Sequence, residues 1–179
     1  MSRRDLPMAL STWMSQQMPA ETLCIVGGGK VIDAIRQLDG VHPGDPTMIH
    51  WLCVDSLQTT FHLVASWLDW PTIVCPGEFQ EAMASGFSTV APTLLNVSSF
   101  YFPAADSLTR ITLPHDWRTT TDAIAALLAI QTEADELVVL KSCEVESGFT
   151  PQQLADQGIV DDAFPEIAEG ISVIRIEKL

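Results

Sequence analysis

Three consecutive glycines, Gly27, Gly28 and Gly29, form the first stretch of this sequence that could contact a ligand. They follow a short apolar run at residues 23–26 and precede an amphipathic segment that begins at Lys30. Glycines at a strand-to-helix turn let backbone N–H groups approach a ligand closely, and the N-terminus of a helix favours an anion. The pattern predicts a ligand-binding turn, although a tight turn without a ligand would also use glycine.

Two well-known glycine motifs do not match this turn. A dinucleotide-binding fingerprint needs a small residue where the chain has Ile32. A P-loop needs Ser or Thr after its lysine, whereas Val31 follows Lys30 here. A ligand bound at this turn would therefore occupy another kind of anion or small-molecule site.

A second stretch places three threonines and an aspartate, residues 119–122, at the start of a predicted helix. One threonine would cap the helix, and Asp122 in its first turn would complement the helix dipole. That interpretation leaves the other threonines and the preceding loop at residues 113–118 without a role. A functional site at this helix start is the second interpretation.

A third stretch delivers a lysine to the end of a strand. The hydrophobic run at residues 136–140 is followed directly by Lys141 and Ser142. Ligands bind at the carboxyl ends of strands in open α/β sheets, and a lysine there could neutralise phosphate oxygens. A solvated lysine at a strand end would have the same sequence, so both interpretations stay open.

The composition limits the classes of partner. The chain has 179 residues, 47% of them hydrophobic, and a formal net charge of −14, which suits one domain spanning residues 1–179. The negative charge argues against nucleic acid and anionic membranes, although not against a small nucleotide. No apolar run is long enough to cross a membrane, and the cysteines lack a Cys-x-x-Cys spacing, so we expect a cytoplasmic protein. The spacing of His42, Asp45 and His50 fits no metal-ligand pattern, and no resident metal is expected.

Apolar, β-branched runs alternate with helical patterns along the chain, which predicts an α/β fold. We expect a three-layer α/β/α sandwich with one open, mainly parallel sheet and helices on both faces. Five runs are the predicted strands of that sheet: residues 23–26, 72–75, 94–97, 136–140 and 171–176. Thr150 and Gln153 predict a capping box at a helix start.

In this order, the three stretches resemble the amino acid kinase family, which includes aspartate, glutamate, carbamate and uridylate kinases. In that family a strand followed by three glycines lines the acceptor site, and residues 25–29 match it. A later helix start with an aspartate contacts substrate and orients the catalytic lysines, and a further strand enters the nucleotide loop; residues 119–122 and 138–142 match these elements. The stretch at residues 113–126 looks most like the short branch of archaeal kinases of furan-cofactor biosynthesis, which carries a Leu-Pro-His-Ser-Trp motif.

The resemblance implies roles for individual residues. Asp122 and Lys141 would be catalytic, and Lys141 and Ser142 would bind the nucleotide. The residues that would bind the substrate are Gly27, Gly28, Gly29, Thr120 and Thr121. ATP with Mg²⁺ would be the cofactor of an active enzyme, and a small carboxylate, phosphate or hydroxyl compound would be the acceptor. We expect the glycine turn and the helix start at residues 119–122 to face one cleft, because N–H groups of two helix N-termini could converge on one anion.

Three elements of the family depart from this sequence. The Thr-Asp-x-Asp-Gly nucleotide loop of the family is replaced by residues 141–148, and the later Gly-Gly-Met segment with a second catalytic lysine has no match. The third is the opening strand. The family opens with a strand carrying Lys-x-Gly-Gly-Ser, which holds the transferred phosphate, whereas the first glycine here is Gly27 and the first lysine is Lys30. The chain is therefore expected to be a degenerate or N-terminally truncated kinase. Loss of an interior strand would leave an unpaired edge, which favours a homodimer. A non-catalytic ligand-binding or interaction protein that retains the kinase fold is the alternative.

Overall fold

The structure is a computed structural model that describes residues 3–106, 111–145 and 148–179. The chain divides into two compact units, Met1–Leu108 and Thr109–Leu179. Each unit has its own sheet of parallel strands together with helices. The α/β class predicted from the sequence is confirmed, because helices and parallel strands alternate along the chain.

The first unit is built on a sheet of three short strands. Its described α-helices and strands are α1 (Leu6–Ser15), β1 (Leu23–Cys24), α2 (Gly29–Val41), α3 (Pro46–Ala65), β2 (Thr72–Ile73), α4 (Pro76–Ser85), β3 (Thr93–Leu95) and α5 (Pro103–Asp106), with a 3₁₀ turn at Val97–Ser99. The strands pair in the order β1-β3-β2, and both pairings are parallel. All three residues of the central strand β3 are buried, whereas both edge strands are partly exposed. The carboxyl ends of the three strands therefore lie at one edge of this sheet.

Helix α3 is a 20-residue helix in the first half of the chain. It begins where Asp45 accepts a 2.9 Å hydrogen bond from the backbone N–H of Met48. Asp45 is thus a helix cap, which satisfies one of the unpaired N–H groups at the helix start. Phe61 of α3 packs with Leu94 of β3 in the core of this unit. No helix among the described residues is long and apolar enough to span a membrane.

The second unit is built on two strands and three helices among its described residues: α6 (Thr121–Gln131), β4 (Leu137–Lys141), α7 (Pro151–Asp156), α8 (Phe164–Ala168) and β5 (Ile174–Lys178). The strands β4 and β5 are parallel, with Leu137 opposite Ile174. The buried side of α6 consists of alanine, leucine and isoleucine, which lets this helix pack closely on β4 and α8. The capping box at the start of α7 is confirmed, because Thr150 and Gln153 exchange two side chain-to-backbone hydrogen bonds.

The expectation of one sheet is wrong for the described residues, whose strands form a three-stranded and a two-stranded sheet. Apolar, β-branched runs identify segments that are buried as strands. They do not encode which strand pairs with which, because pairing depends on contacts distant in sequence. The strands are also shorter or shifted: β1 and β2 have two residues each, and β5 begins at Ile174 rather than at residue 171.

Candidate functional site

Asp122 lies in the first turn of helix α6 in the second unit. A carboxylate at this position complements the positive end of the helix dipole. Its side chain is only 12% exposed, and the next residue, Ala123, is fully buried. Asp122 is therefore a mostly buried charge and needs a partner within the protein.

Lys141, the last residue of β4, is that partner. Its Nζ atom donates a 2.6 Å hydrogen bond to Oδ2 of Asp122, and its side chain is 19% exposed. Its carbonyl oxygen accepts a hydrogen bond from the backbone N–H of Leu179, which fixes the end of the strand. The neighbouring Arg118 pairs instead with Asp116, on the exposed side of the loop. The structure thus brings together the two residues expected to be catalytic.

Burial raises the pKa of Asp122 above its usual range, because a carboxylate loses hydration when it leaves water. The positive charge of Lys141 and its hydrogen bond oppose this rise, whereas the negative charge of Asp161 adds to it. The net direction is a raised pKa. Asp122 therefore depends on Lys141 to hold its negative charge, and Lys141 is in turn fixed by Asp122.

Asp161 organises the start of α6 from outside that helix. Its Oδ2 atom accepts hydrogen bonds from the backbone N–H and the hydroxyl of Thr120, both at 2.8 Å, and from the backbone N–H of Ala123 at 3.0 Å. Its Oδ1 atom accepts a 2.9 Å bond from the N–H of Phe164, at the start of α8. The side chain is 9% exposed. A carboxylate of the protein thus occupies the anion-favouring end of α6.

The residues of this unit that were expected to bind substrate or nucleotide lie in different surroundings. The hydroxyl of Thr120 donates to Asp161, so its hydrogen is already engaged. Thr121 is half-buried, and Ser142 is exposed directly after β4. Thr119 is 6% exposed, and its Oγ1 atom has no hydrogen-bond partner among the described residues. An unpaired buried hydroxyl three residues before Asp122 is a polar group that a ligand could satisfy.

The glycine turn belongs to the first unit, at the carboxyl end of β1. Gly28 is buried before α2, and a Cβ atom there would lie 1.9 Å from Cγ1 of Ile32. Gly29 begins α2 with a φ of 50°, a left-handed conformation that favours glycine. Gly27 is half-buried. Local packing and backbone conformation account for two of the glycines, and the substrate-binding role of the turn and the cleft shared with residues 119–122 stay predictions.

A cavity of about 800 Å³ lies in the second unit, beside α7, α8 and β5. Leu154, Phe164 and Ile174 form part of its apolar lining, and Glu166 and Glu169 are its charged side chains among the described residues. No lysine or arginine lines it within that part of the chain. The volume suits a small molecule, and the lining suits an apolar or aromatic group rather than a phosphate.

Asp161 is the residue of this site that the sequence interpretation missed. Its role at α6 has no local signature, since it caps a helix that lies well before it in the chain. A weaker signal was present at α8: an aspartate three residues before Phe164, ahead of a helix with Pro165 in its first turn. That pattern could have identified the short helix α8 and its polar start.

Comparison with known proteins supports the fold. No family model matches the chain, and no curated protein matches it. Among solved structures, the chain is similar to the crystal structure of uridylate kinase from Archaeoglobus fulgidus, with a TM-score of 0.59 and 18% sequence identity. The alignment covers 95% of this chain and 80% of that chain. At this level of identity the likeness establishes the fold, and the chain therefore shares the α/β fold of that uridylate kinase.

Proposed function

We propose that this chain belongs to the amino acid kinase superfamily and transfers the γ-phosphoryl group of ATP to a small carboxylate, phosphate or hydroxyl acceptor. The observation that carries the proposal is the 2.6 Å contact between Lys141 and Asp122, which joins two separate stretches at the carboxyl end of β4. The fold shared with a uridylate kinase supports it. The proposal includes the likeness to the archaeal furan-cofactor branch and a cytoplasmic homodimer.

The pair and the residues next to it in the chain offer a nucleoside triphosphate one cation and two hydroxyl groups. Lys141 is a cation at a strand end, Ser142 offers an exposed hydroxyl, and Thr119 offers a buried hydroxyl without a partner among the described residues. Bound ATP with Mg²⁺ would supply the phosphoryl group and offset part of its negative charge. Lys141 offsets charge that develops on phosphate oxygens, and Asp122 holds the ammonium group of Lys141 in position.

The cavity of the second unit is the proposed place of the nucleoside part. It is lined by Ile174 and Ile176 of β5, the strand that pairs with β4, which ends in Lys141. Its apolar lining suits a base, and its carboxylates disfavour phosphate. On the acceptor side, the proposal assigns Thr120, Thr121 and the three glycines at residues 27–29.

A non-catalytic binding protein with this fold is the second candidate, and one observation favours it. The charges of Asp122 and Lys141 are satisfied by each other, and the N–H groups at the start of α6 are taken by Asp161. An arrangement whose polar groups are already paired can serve stability alone. The two candidates therefore differ in whether Lys141 contacts a nucleotide.

Calorimetric titration of the 179-residue protein with ATP and Mg²⁺ tests nucleotide binding. ADP release in the presence of carboxylate, hydroxyl and phosphate acceptors, uridine monophosphate among them, tests transfer. Lys141→Met should lower transfer by on the order of 10²- to 10³-fold. Lys178→Met is the matched control, because Lys178 lies opposite Lys141 at the end of β5 and pairs with Glu144 on the surface. The control variant should keep the wild-type rate.

The outcomes separate the two candidates. Failure of the folded wild type to bind ATP contradicts the kinase proposal. Binding without ADP release for any acceptor supports the non-catalytic candidate. A matched protein that carries a Lys-x-Gly-Gly-Ser strand before residue 1 should turn over faster than the 179-residue protein, because the backbone clamp on the phosphate typically contributes on the order of 10²-fold or more.

A further inference from the structure

Asp161 binds the backbone on both sides of Asp122. Its Oδ2 atom accepts a 2.8 Å hydrogen bond from the backbone N–H of Thr120 and a 3.0 Å bond from the backbone N–H of Ala123. The side chain of Asp161 is 9% exposed, and hydrogen bonds are electrostatically stronger where water is scarce. One carboxylate therefore holds the helix turn that presents Asp122.

Asp161 is itself held by a second helix. Its Oδ1 atom accepts a 2.9 Å hydrogen bond from the backbone N–H of Phe164, a fully buried residue that begins α8. The backbone N–H of Ala163 donates a 2.9 Å bond to the carbonyl of Arg118, which lies just before α6. Helix α8 also packs against α6. The carboxylate of Asp161 therefore has a fixed position between two helix starts.

The connection continues from Asp122 to the ammonium group of Lys141. Oδ2 of Asp122 lies 2.6 Å from Nζ of Lys141, and both side chains are mostly buried. The lysine side chain is a flexible four-carbon stem, so the position of its charge depends on the partner that holds it. That partner lies in the first turn of α6, whose backbone Asp161 binds.

We propose that Asp161 is a positioning residue, which fixes Nζ of Lys141 through the start of α6 and through Asp122. For phosphoryl transfer, this inference rests on the proposed function, in which Lys141 offsets charge on phosphate oxygens. A misplacement of about 1 Å in such a group can lower the rate by on the order of 10²-fold. A helix cap with no such role would change the stability of the protein and leave Lys141 as it is in the wild type.

The chain has three lysines, Lys30, Lys141 and Lys178, so NMR signals of the lysine Cε groups give a direct readout without ATP. In protein labelled with ¹³C at lysine, the Lys141→Met variant assigns the Lys141 signal by its loss. Asp161→Asn should shift or broaden this signal and leave that of Lys178 unchanged. Asp162→Asn is the matched control, because Asp162 is the exposed neighbour of Asp161, and it should leave the Lys141 signal unchanged. An unchanged Lys141 signal in folded Asp161→Asn, or an equal change in Asp162→Asn, would overturn the proposal.

A second variant separates the two helices that Asp161 joins. In Asp161→Ser the hydroxyl can still accept a hydrogen bond from the N–H of Phe164, as serine does at helix starts. No second oxygen remains for Thr120 and Ala123. Asp161→Ser should therefore change the Lys141 signal as Asp161→Asn does, and it keeps the test valid if Asp161→Asn does not fold.

The carboxyl group of Asp122 supplies a further readout. Burial is the main cause of its raised pKa, and the negative charge of Asp161 adds to the rise. Asp161→Asn removes this charge, so the pKa of Asp122, followed by ¹³C NMR of its carboxyl group, should fall. Asp162→Asn should leave it as in the wild type. A pKa of Asp122 that rises or stays the same in Asp161→Asn would overturn the proposal.

Phosphoryl transfer is the last readout. Asp161→Asn should lower kcat by about 10-fold or more, whereas Asp162→Asn should keep the wild-type value. A wild-type kcat in Asp161→Asn would overturn the proposal. If the wild type neither binds nor turns over ATP, the proposed function fails, and the NMR results without ATP still decide whether Asp161 positions Lys141.

Discussion

Lys141 and Asp122 are 19 positions apart in the chain, and yet Nζ of one lies 2.6 Å from Oδ2 of the other. Lys141 is the last residue of β4 and Asp122 lies in the first turn of α6, so regular structure holds both residues in place. Groups placed on rigid elements keep their geometry better than groups on loops. The pair therefore has the fixed position that either a catalytic or a structural role requires.

Removal of one member of this pair should destabilise the protein. Lys141→Met leaves the mostly buried carboxylate of Asp122 without its cation, and we expect a loss of about 3 kcal/mol in the free energy of unfolding. Combination with Asp122→Asn should recover part of that loss, because the unpaired charge is gone. Urea unfolding of the single and double variants measures the coupling. Purely additive effects would contradict an energetically coupled pair.

The raised pKa of Asp122 predicts a pH dependence. The folded protein binds the proton of this carboxyl more tightly than the unfolded chain does. Between the ordinary pKa of 3.8 and the higher folded value, the contribution of Asp122 to stability therefore falls as the pH rises. Relative to Asp122→Asn, the wild type should lose free energy of unfolding as the pH rises through this window. Above the window, the difference in free energy of unfolding between the two proteins should stay constant. Urea unfolding of both proteins from acidic to neutral pH tests this, and a difference that grows in favour of the wild type contradicts it.

Asp161 should contribute more to the stability of the protein than Asp156, an aspartate on the surface of the second unit. Asp161→Ala leaves the N–H groups of Thr120 and Ala123 without their acceptor, and the N–H of Phe164 keeps only its bond to the carbonyl of residue 161 among the described residues. We expect a loss of about 2 kcal/mol in the free energy of unfolding. Hydrogen exchange at these amides should accelerate. Asp156→Ala is the control, because the side chain of Asp156 accepts a single hydrogen bond among the described residues, from Gln152 on the surface. Equal stability of the two variants would show that the cap contributes little.

Alanine substitutions of individual glycines should change the stability of the protein in opposite directions. Gly29→Ala forces a side chain into a φ of 50°, which typically costs about 1 kcal/mol or more. Gly28→Ala brings a Cβ to 1.9 Å from Cγ1 and 2.7 Å from Cβ of Ile32. A second substitution, Ile32→Ala, should relieve only the contact with Cγ1, because the Cβ of residue 32 stays. Gly40→Ala, in the same helix with no atom within 4 Å of its Cβ position, should instead stabilise by up to about 1 kcal/mol. Thermal unfolding of the series tests the order, and a stable Gly29→Ala variant would contradict it.

Exposed and buried cysteine thiols should react with a disulfide reagent at different rates. Cys75 and Cys143 are exposed, whereas burial raises the pKa of Cys24 to about 12 and that of Cys53 to about 11. Since the thiolate is the reactive form, a disulfide reagent should label Cys75 and Cys143 quickly in the native protein and all four cysteines after denaturation. Peptide mapping assigns the labelled residues. Fast labelling of Cys24 would indicate local opening of the first unit.

Local sequence signals predict two of the helix starts. Residues 119–122 predict a helix start, and α6 begins at Thr121; the capping box of Thr150 and Gln153 is present at α7. Both depend on neighbours within one or two turns of the chain, which the sequence displays directly. The candidate roles of Asp122 and Lys141 came from motif order, and their contact comes from the structure.

Nonlocal relationships could not be predicted in the same way. The pairing of β4 with β5 and the capping of α6 by Asp161 join residues that share no local pattern. These contacts depend on how packed elements meet, and one sequence alone does not specify it.

The order in which the second unit folds follows from its strand pairing. β4 meets β5 only across the whole of α7 and α8, so a long loop must close before this ladder forms. A helix such as α6 forms from local contacts, and nonlocal parallel pairing is slow. We expect α6 to form first and the ion pair between Asp122 and Lys141 to form later, when the strands dock. Loss of the ion pair should then speed unfolding and leave the refolding rate nearly unchanged.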